Sequence, residues 1–268
     1  MPLNDKLRVI SFAGAPFDHS PWTNRQQIMS RVAKTHPVLY IEARVWIFRF
    51  LSRNWRQPRN IILFLRKVLW YEKKHEYLYI KAQWNLIPGS REYKVITLFN
   101  HLLNRWSVLL TAWLLGFYSP FLKNQEKQLL IWIYDTEAAE YLSAFPKARI
   151  LYDCVDDHRA QFGVDRNPER VRAEEDQILK RADLVTVTSE SLFKLKKHRN
   201  SNTHLVLNAG DVNLYTQQLL SEAREKAEKL LGNIPHPILG SVGSLDSYKV
   251  DFEMLYQIAK QHPEWHFV

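Results

Sequence analysis

The sequence predicts an α/β protein whose parallel sheet is covered by helices on both faces. Short apolar runs alternate with helix-period segments along most of the 268 residues, the pattern of a sheet built from strand-helix-strand units. One helix start is explicit: Asn167 is an N-cap and Pro168 takes the first helical position. Two strands run into loops rich in titratable residues, and in parallel sheets ligands collect at the carboxyl ends of strands.

Strands are expected at 7–13, 38–42, 77–81, 129–134, 150–155, 184–188 and 205–207, and helices at 24–34, 136–145 and 168–182. Apolar residues make up 46% of the chain and no segment is low in complexity, so a globular core is expected. The single cysteine, Cys154, has no intramolecular partner, which fits a reducing, cytoplasmic setting. The N-terminal apolar run reads as a first strand and is too short for a signal core.

The first polar rim is Arg149–His158, RILYDCVDDH. Asp153, Asp156, Asp157 and His158 stand at the end of an apolar strand, and three readings fit them: catalytic acid–base or charge-stabilising groups, backbone and helix caps, or a Mg²⁺ site. Cys154 reads as a small buried residue. The second rim is the loop Ala13–Trp22 after the first strand. Gly14 there suits close backbone approach to a phosphate, although no G-x-G-x-x-G motif accompanies it. Asp18, His19, Trp22 and Arg25 are candidates to line a substrate pocket, and Trp22 serves equally well to staple the loop to the next helix.

The pattern restarts near Asn208. The turn-rich NAGDVNLY is followed by a charged helix at 217–231, then by ILGSVG, a further helix and a closing strand. Two domains are expected: residues 1–210, and residues 211–268 as the start of a second, incomplete Rossmann-like unit.

Three stretches carry a family resemblance. SPWTNRQQIMSRVAKTHPVLYIE, ILYDCVDDHRAQF followed by RADLVTVTSESL, and LVLNAGDVNLY resemble glycosyltransferases of the GT-B fold. The group is the large retaining family 4-like (group 1) family, which includes teichuronic-acid and surface-polysaccharide enzymes. The likeness is weak between about Arg44 and Leu129, and Ala209-Gly210 replaces the family's usual Gly-Val order. The resemblance implies transfer of a sugar from a nucleotide-diphosphate donor to a surface glycan or lipid-linked acceptor, with no metal and no cofactor beyond the donor substrate. It implies that one residue of the loop after Tyr152 stands against the donor sugar, in either of two registers that the Asp-Cys-Val-Asp-Asp spacing admits. Asp153, Asp156, Asp157 and His158 are the catalytic candidates, and Gly14, Asp18, His19, Trp22 and Arg25 those for the acceptor side. Gly243, Ser244 and Lys249 fall to the donor diphosphate, with Ser244 where an arginine is common. The family's paired donor-binding glutamates would lie past Val268, so a non-catalytic domain that binds a glycan or a partner at the membrane is the alternative.

The net charge of +9 is local. Between Arg44 and Lys74 stand nine basic residues and one acid, Glu72, interleaved with Trp46, Phe48, Phe50, Trp55, Phe64, Trp70 and Tyr71. This insertion reads as an amphipathic surface for anionic lipid at the inner face of the membrane, or as a packed helical insertion with a solvated basic face. Nucleic acid suits the charge, but no recognition motif supports it. The uncharged run Ser107–Tyr118 is too short to span a bilayer.

Overall fold

The computed structural model describes residues 7–18, 22–85, 94–118, 128–159, 167–210, 212, 217–243, 245 and 250–268. The chain forms two compact units that part between Leu207 and Asn208.

The first unit holds eight strands: β1 (Arg8–Phe12), β2 (Val38–Trp46), β3 (Glu72–His75), β4 (Leu78–Asn85), β5 (Leu129–Ile133), β6 (Arg149–Cys154), β7 (Leu184–Val187) and β8 (Thr203–Leu205). Their order is β3-β4-β2-β1-β5-β6-β7-β8, and every neighbouring pair is parallel except β3–β4. The order runs outward in both directions from β1, as in a doubly wound, Rossmann-like sheet. Its helices are α1 (Asn24–Val32), α2 (Ile47–Asn54), α3 (Pro58–Leu69), α4 (Lys94–Leu114), a 3-10 helix (Thr136–Ala144), α5 (Pro168–Arg181) and α6 (Glu190–Lys197).

Successive side chains of a strand point to opposite faces, and each face has its own core. Ile10, Phe12, Leu39, Ile41, Ile131, Ile133, Tyr152 and Val185 pack with Val108 and Ala112 of α4, Tyr141 of the 3-10 helix, Ile178 of α5 and Leu192 of α6. On the other face Val9, Val38, Tyr40, Leu78 and Ile80 pack with Phe17, Met29 and Ala33. Fully buried apolar side chains each contribute roughly 1.5 to 3 kcal/mol relative to exposure, so this two-sided core fixes the strand order.

Three features depart from the sequence reading. β2 and β4 continue together past an irregularity between Ile41 and Arg44, with Arg44 opposite Gln83 and Trp46 opposite Asn85. The edge strand β3 reads Glu-Lys-Lys-His, with no apolar residue to mark it. Helix α4 begins thirteen residues before the apolar run singled out in the sequence, and its inner side carries the buried Asn100, Asn104 and Thr111. Asn104 accepts from the Trp84 amide at 2.9 Å and donates to the Trp84 carbonyl at 2.5 Å, which ties α4 to β4.

The second unit holds α7 (Gln217–Leu231), α8 (Phe252–Gln261) and a parallel pair, β9 (Ile238–Leu239) with β10 (His266–Phe267). Asp251 caps α8, accepting from the Met254 amide at 2.9 Å.

A buried ion pair fastens α5 to α6. Lys196 Nζ donates to Glu175 Oε1 at 2.5 Å, and Tyr152 Oη donates to the same oxygen at 2.9 Å. Both charged side chains are fully buried. Removing one partner leaves an uncompensated charge. Lys196→Met is expected to cost about 3 kcal/mol, the low end for a buried pair because Arg159 still faces Glu175. The Glu175→Met, Lys196→Met double variant is expected to recover at least half of that loss in urea titrations. A double variant as unstable as the single one would contradict this account of the pair.

Candidate functional site

The carboxyl ends of β1, β5 and β6 lie side by side, since β1 pairs with β5 and β5 with β6. The polar residues that follow these three strands therefore share one rim.

Asp153 is the last but one residue of β6 and is 8% exposed. Thr186 Oγ1 donates to its Oδ1 at 2.9 Å, and Trp132 Nε1 donates to its Oδ2 at 3.3 Å. Burial raises its pKa, opposed by the hydrogen bonds from Thr186 and Trp132, by the nearby Tyr134 hydroxyl and by the charge of Arg25. The Arg25 guanidinium lies 5.9 Å from the centre of the Tyr134 ring. Two residues from separate stretches of sequence, Arg25 at the start of α1 and Asp153 at the end of β6, thus meet at the phenol of Tyr134. Burial pushes the Tyr134 hydroxyl well above its ordinary pKa, and the Asp153 carboxylate pushes it further.

The rest of the β6 loop is held from below. Arg159 Nε stands 3.4 Å from Asp157 Oδ1 and 3.3 Å from Glu175 Oε2, linking the loop to the buried Glu175–Lys196 pair. The Asp157 carboxylate also accepts from the Arg159 amide at 3.3 Å, an Asx-type turn. Asp156 is exposed, Asp157 and His158 are half-buried, and the His158 amide donates to the Asp156 carbonyl at 3.1 Å. Cys154 is buried, its thiol 3.3 Å from the Asp156 carbonyl, and burial pushes its pKa up to about 11. Among the described residues no group of three His, Cys, Asp or Glu side chains gathers for a metal ion.

Gly14 is a glycine for a reason the sequence did not show. Its φ is +64°, and a Cβ there would stand 2.3 Å from Asp135 Oδ2. Asp135 follows β5 and caps the 3-10 helix, accepting from the Glu137 amide at 3.1 Å. The open side of Gly14 is therefore occupied by a carboxylate.

Asp18 belongs to a separate ion-pair network. It pairs with Lys67 at 2.9 Å and Lys74 at 2.8 Å, and Lys67 also meets Glu42 at 3.0 Å. Burial works against its ionisation, but Lys74 and Lys67 hold Asp18 below its ordinary pKa. Glu42 accepts from the Phe17 amide at 2.9 Å and so anchors the β1 loop. The Trp22 ring stands 5.2 Å from that of Phe17 within the same loop. His19, Ser244 and Lys249 lie outside the described residues. Gly243, in the second unit, has φ +150° and open space around its Cβ position.

A further polar cluster stands where β2 and β4 overrun the irregularity. Arg44 pairs with Glu140 and, at 3.6 Å, with Glu137, and it donates to Gln83 Oε1 at 3.3 Å. Tyr141 Oη donates to the same Gln83 oxygen at 2.8 Å. His101 Nε2 lies 3.2 Å from Arg44 and 3.3 Å from Arg170, and its Nδ1 faces Glu140. Two guanidinium donors at Nε2 require the neutral ring with its proton on Nδ1, given to Glu140. The sequence carried one usable signal for this rim: Asp135, Glu137 and Glu140 follow a predicted strand, as Asp156 and Asp157 do.

Arg44, Lys67 and Lys74 are thus bound internally, which corrects the reading of the whole 44–74 window as an outward basic surface. Arg49, Arg53, Arg56, Arg59, Arg66 and Lys73 remain exposed.

With the geometry in hand, the chain can be placed among known proteins. No family model matches it, and no curated protein matches it. Among solved structures it resembles HepE (Alr3699) of Anabaena. The structure with UDP and glucose aligns at TM-score 0.53 and 13% identity over 98% of this chain and 60% of that one. The structure with UDP-glucose gives TM-score 0.53 and 14% identity over 97% and 59%. The structure with UDP gives TM-score 0.51 and 13% identity over 98% and 68%. At such identity the likeness is one of fold, and the chain spans about 60% of the first two of these structures.

Burial, then the charges of Arg44 and Arg170, push the His101 pKa from 6.5 down to about 4. A base with a lowered folded pKa stabilises the fold above its unfolded value, because on acidification the unfolded chain takes up the proton first. Stability is expected to fall by about 2 to 3 kcal/mol as pH drops from 6.5 to about 4. His101→Gln is expected to flatten that part of the urea-midpoint profile. An unchanged slope would show that other groups carry it.

Proposed function

We propose that the protein takes part in sugar transfer from a nucleotide-diphosphate donor to a surface glycan or lipid-linked acceptor, with retention of anomeric configuration. The observation that carries this reading is the fold likeness, over nearly the whole chain, to a protein solved with UDP and UDP-glucose. A second support is the chemistry of the rim, where a buried carboxylate, an arginine and a phenol stand together at the carboxyl ends of β5 and β6 and the start of α1.

In this reading Asp153 faces the reacting sugar. The acceptor oxygen bonds to the anomeric carbon, the bond from that carbon to the diphosphate oxygen breaks, and its electron pair leaves on the nucleotide. The acceptor proton needs a base, and developing positive charge at the anomeric carbon needs an anion. A carboxylate with a raised pKa suits the first task, and its low-dielectric setting strengthens the second. Asp156, Asp157 and His158 flank the acceptor, with Asp157 held in place by Arg159. Gly14, Asp18, His19, Trp22 and Arg25 shape the acceptor side, Asp18 through its ion pairs. In the second unit Gly243, Ser244 and Lys249 hold the diphosphate, an ammonium against phosphate oxygens. The exposed arginines of α2 and α3 face anionic lipid at the inner leaflet, where lipid-linked acceptors are held. Among the described residues no helix is long and apolar enough to cross a membrane.

The test is Asp153→Asn in the native polypeptide, assayed with UDP-glucose and other nucleotide sugars. The amide keeps its oxygen toward the Trp132 indole and turns its NH2 to the Thr186 hydroxyl, which then accepts, and the substitution removes a costly buried charge. Thermal stability at pH 7 is therefore expected to hold or rise, while transfer falls by about 100-fold or more. A variant that loses stability but keeps its turnover would make Asp153 a structural residue.

A further inference from the structure

Helix α4 is built the wrong way round for a helix packed in water. Its sheet side carries Asn100, Asn104, Val108, Thr111 and Ala112, all buried, while its outer side carries large apolar groups. Leu98, Phe99, Leu102, Trp106, Leu110 and Trp113 are all exposed, Trp106 to 71%. Their spacing of three, four and seven residues places them in one stripe. The helix has 21 residues, and from Leu98 to Trp113 the stripe runs for about 23 Å. Exposed apolar area this continuous marks an interaction surface.

We propose that α4 lies flat in the interface of an anionic lipid bilayer, with this stripe in the acyl boundary. Charge selects lipid as the occupant. The strand that α4 covers, β4, lies next to the edge strand β3 and is covered on its other side by α3, where Ala82 packs with Phe64 and Val68. An aromatic chain, Trp70 to Tyr71 to Tyr79 to Phe117, links the end of α3 to the end of α4 around that edge. α2 and α3 present the exposed Arg49, Arg53, Arg56, Arg59 and Arg66, and no acidic residue occurs between Ala43 and Tyr71 or within α4. A second copy docked on this edge would bring two sets of arginines together, whereas anionic headgroups neutralise them. A bilayer also accepts a straight stripe of Leu and Trp with no matching shape, and indole suits the headgroup boundary.

This extends the membrane part of the function proposed above. It rests on the exposed surface alone, so binding is measured without sugar nucleotide and stands or falls apart from the transfer reaction. The full chain is sedimented with vesicles of phosphatidylcholine, with or without about a third phosphatidylglycerol. Phe99→Ser, Trp106→Ser, Trp113→Ser together are expected to weaken vesicle partitioning by about tenfold or more. Arg49→Gln, Arg53→Gln, Arg56→Gln, Arg59→Gln together are expected to remove the preference for phosphatidylglycerol while leaving residual binding.

A second readout does not depend on how the triple variant folds. Cys154 is buried, so Trp106→Cys gives one accessible thiol for a spin label. On vesicle addition that label is expected to become accessible to oxygen and shielded from a water-soluble nickel complex. The proposal is overturned if the label stays aqueous, or if the folded serine variant binds vesicles as the parent does. It is equally overturned if the parent ignores vesicles, whether it remains a monomer or forms a dimer that the serine variant breaks.

Discussion

The 3-10 helix, α4, α5 and α6 pack on one face of the parallel sheet, and α1 and α3 pack on the other over β1, β2 and β4, so a polar side chain on the central strands meets water chiefly at the strand ends. That constraint orders the rest of the first unit. Two polar residues within the strands are locked in place, Gln83 by Arg44 and Tyr141, and Asp153 by Thr186 and Trp132. The titratable residues crowd into the loops after β1, β5 and β6. Arg25, Tyr134 and Asp153 come together because β1, β5 and β6 are neighbours, although they lie far apart in sequence.

Beneath and beside that rim the charges are sorted into separate networks. Glu175, Lys196, Arg159 and Asp157 hold the β6 loop, Glu42, Lys67, Asp18 and Lys74 hold the β1 loop, and Arg44, Glu140 and His101 join β2 to α4 and the 3-10 helix. Each network contains at least one strongly buried charge. Breaking a buried pair costs far more than the pair contributes, so these charges specify loop shape more than they stabilise the fold. The exposed arginines of α2 and α3 are what remains of the positive charge once the internal partners are satisfied.

The central strands were legible because apolar runs such as Ile150–Tyr152 and Leu129–Ile133 have the length and boundaries of buried strands. The Asn167-Pro168 helix start was legible for an equally local reason, and Asn167 Oδ1 accepts from the Glu169 amide at 2.9 Å. β3 was not legible because a strand at the sheet edge needs no apolar residue. Most of α4 was hidden because Asn100 and Asn104 interrupt the run of apolar residues, and Asn104 is explained only by its two hydrogen bonds to the Trp84 backbone. Gly14 was singled out for closeness to a phosphate. The closeness is real, but Asp135 fills the space, and no local pattern relates residues 121 positions apart. The rim at Asp153 was visible as a strand end, while its partners Thr186, Trp132 and Tyr134 depend on strand order.

The most direct test of this picture is the ionisation of Asp153 itself. Carboxyl carbon resonances of the labelled protein, followed through a pH titration and assigned with Asp153→Asn, report its pKa without any assumption about substrate. The expected result is one aspartate that titrates clearly above the ordinary value of 3.8, because burial outweighs the donors around it. A value at or below 3.8 would mean that the carboxylate is solvated or fully neutralised. It would contradict the role of Asp153 as the buried, reactive group of the rim.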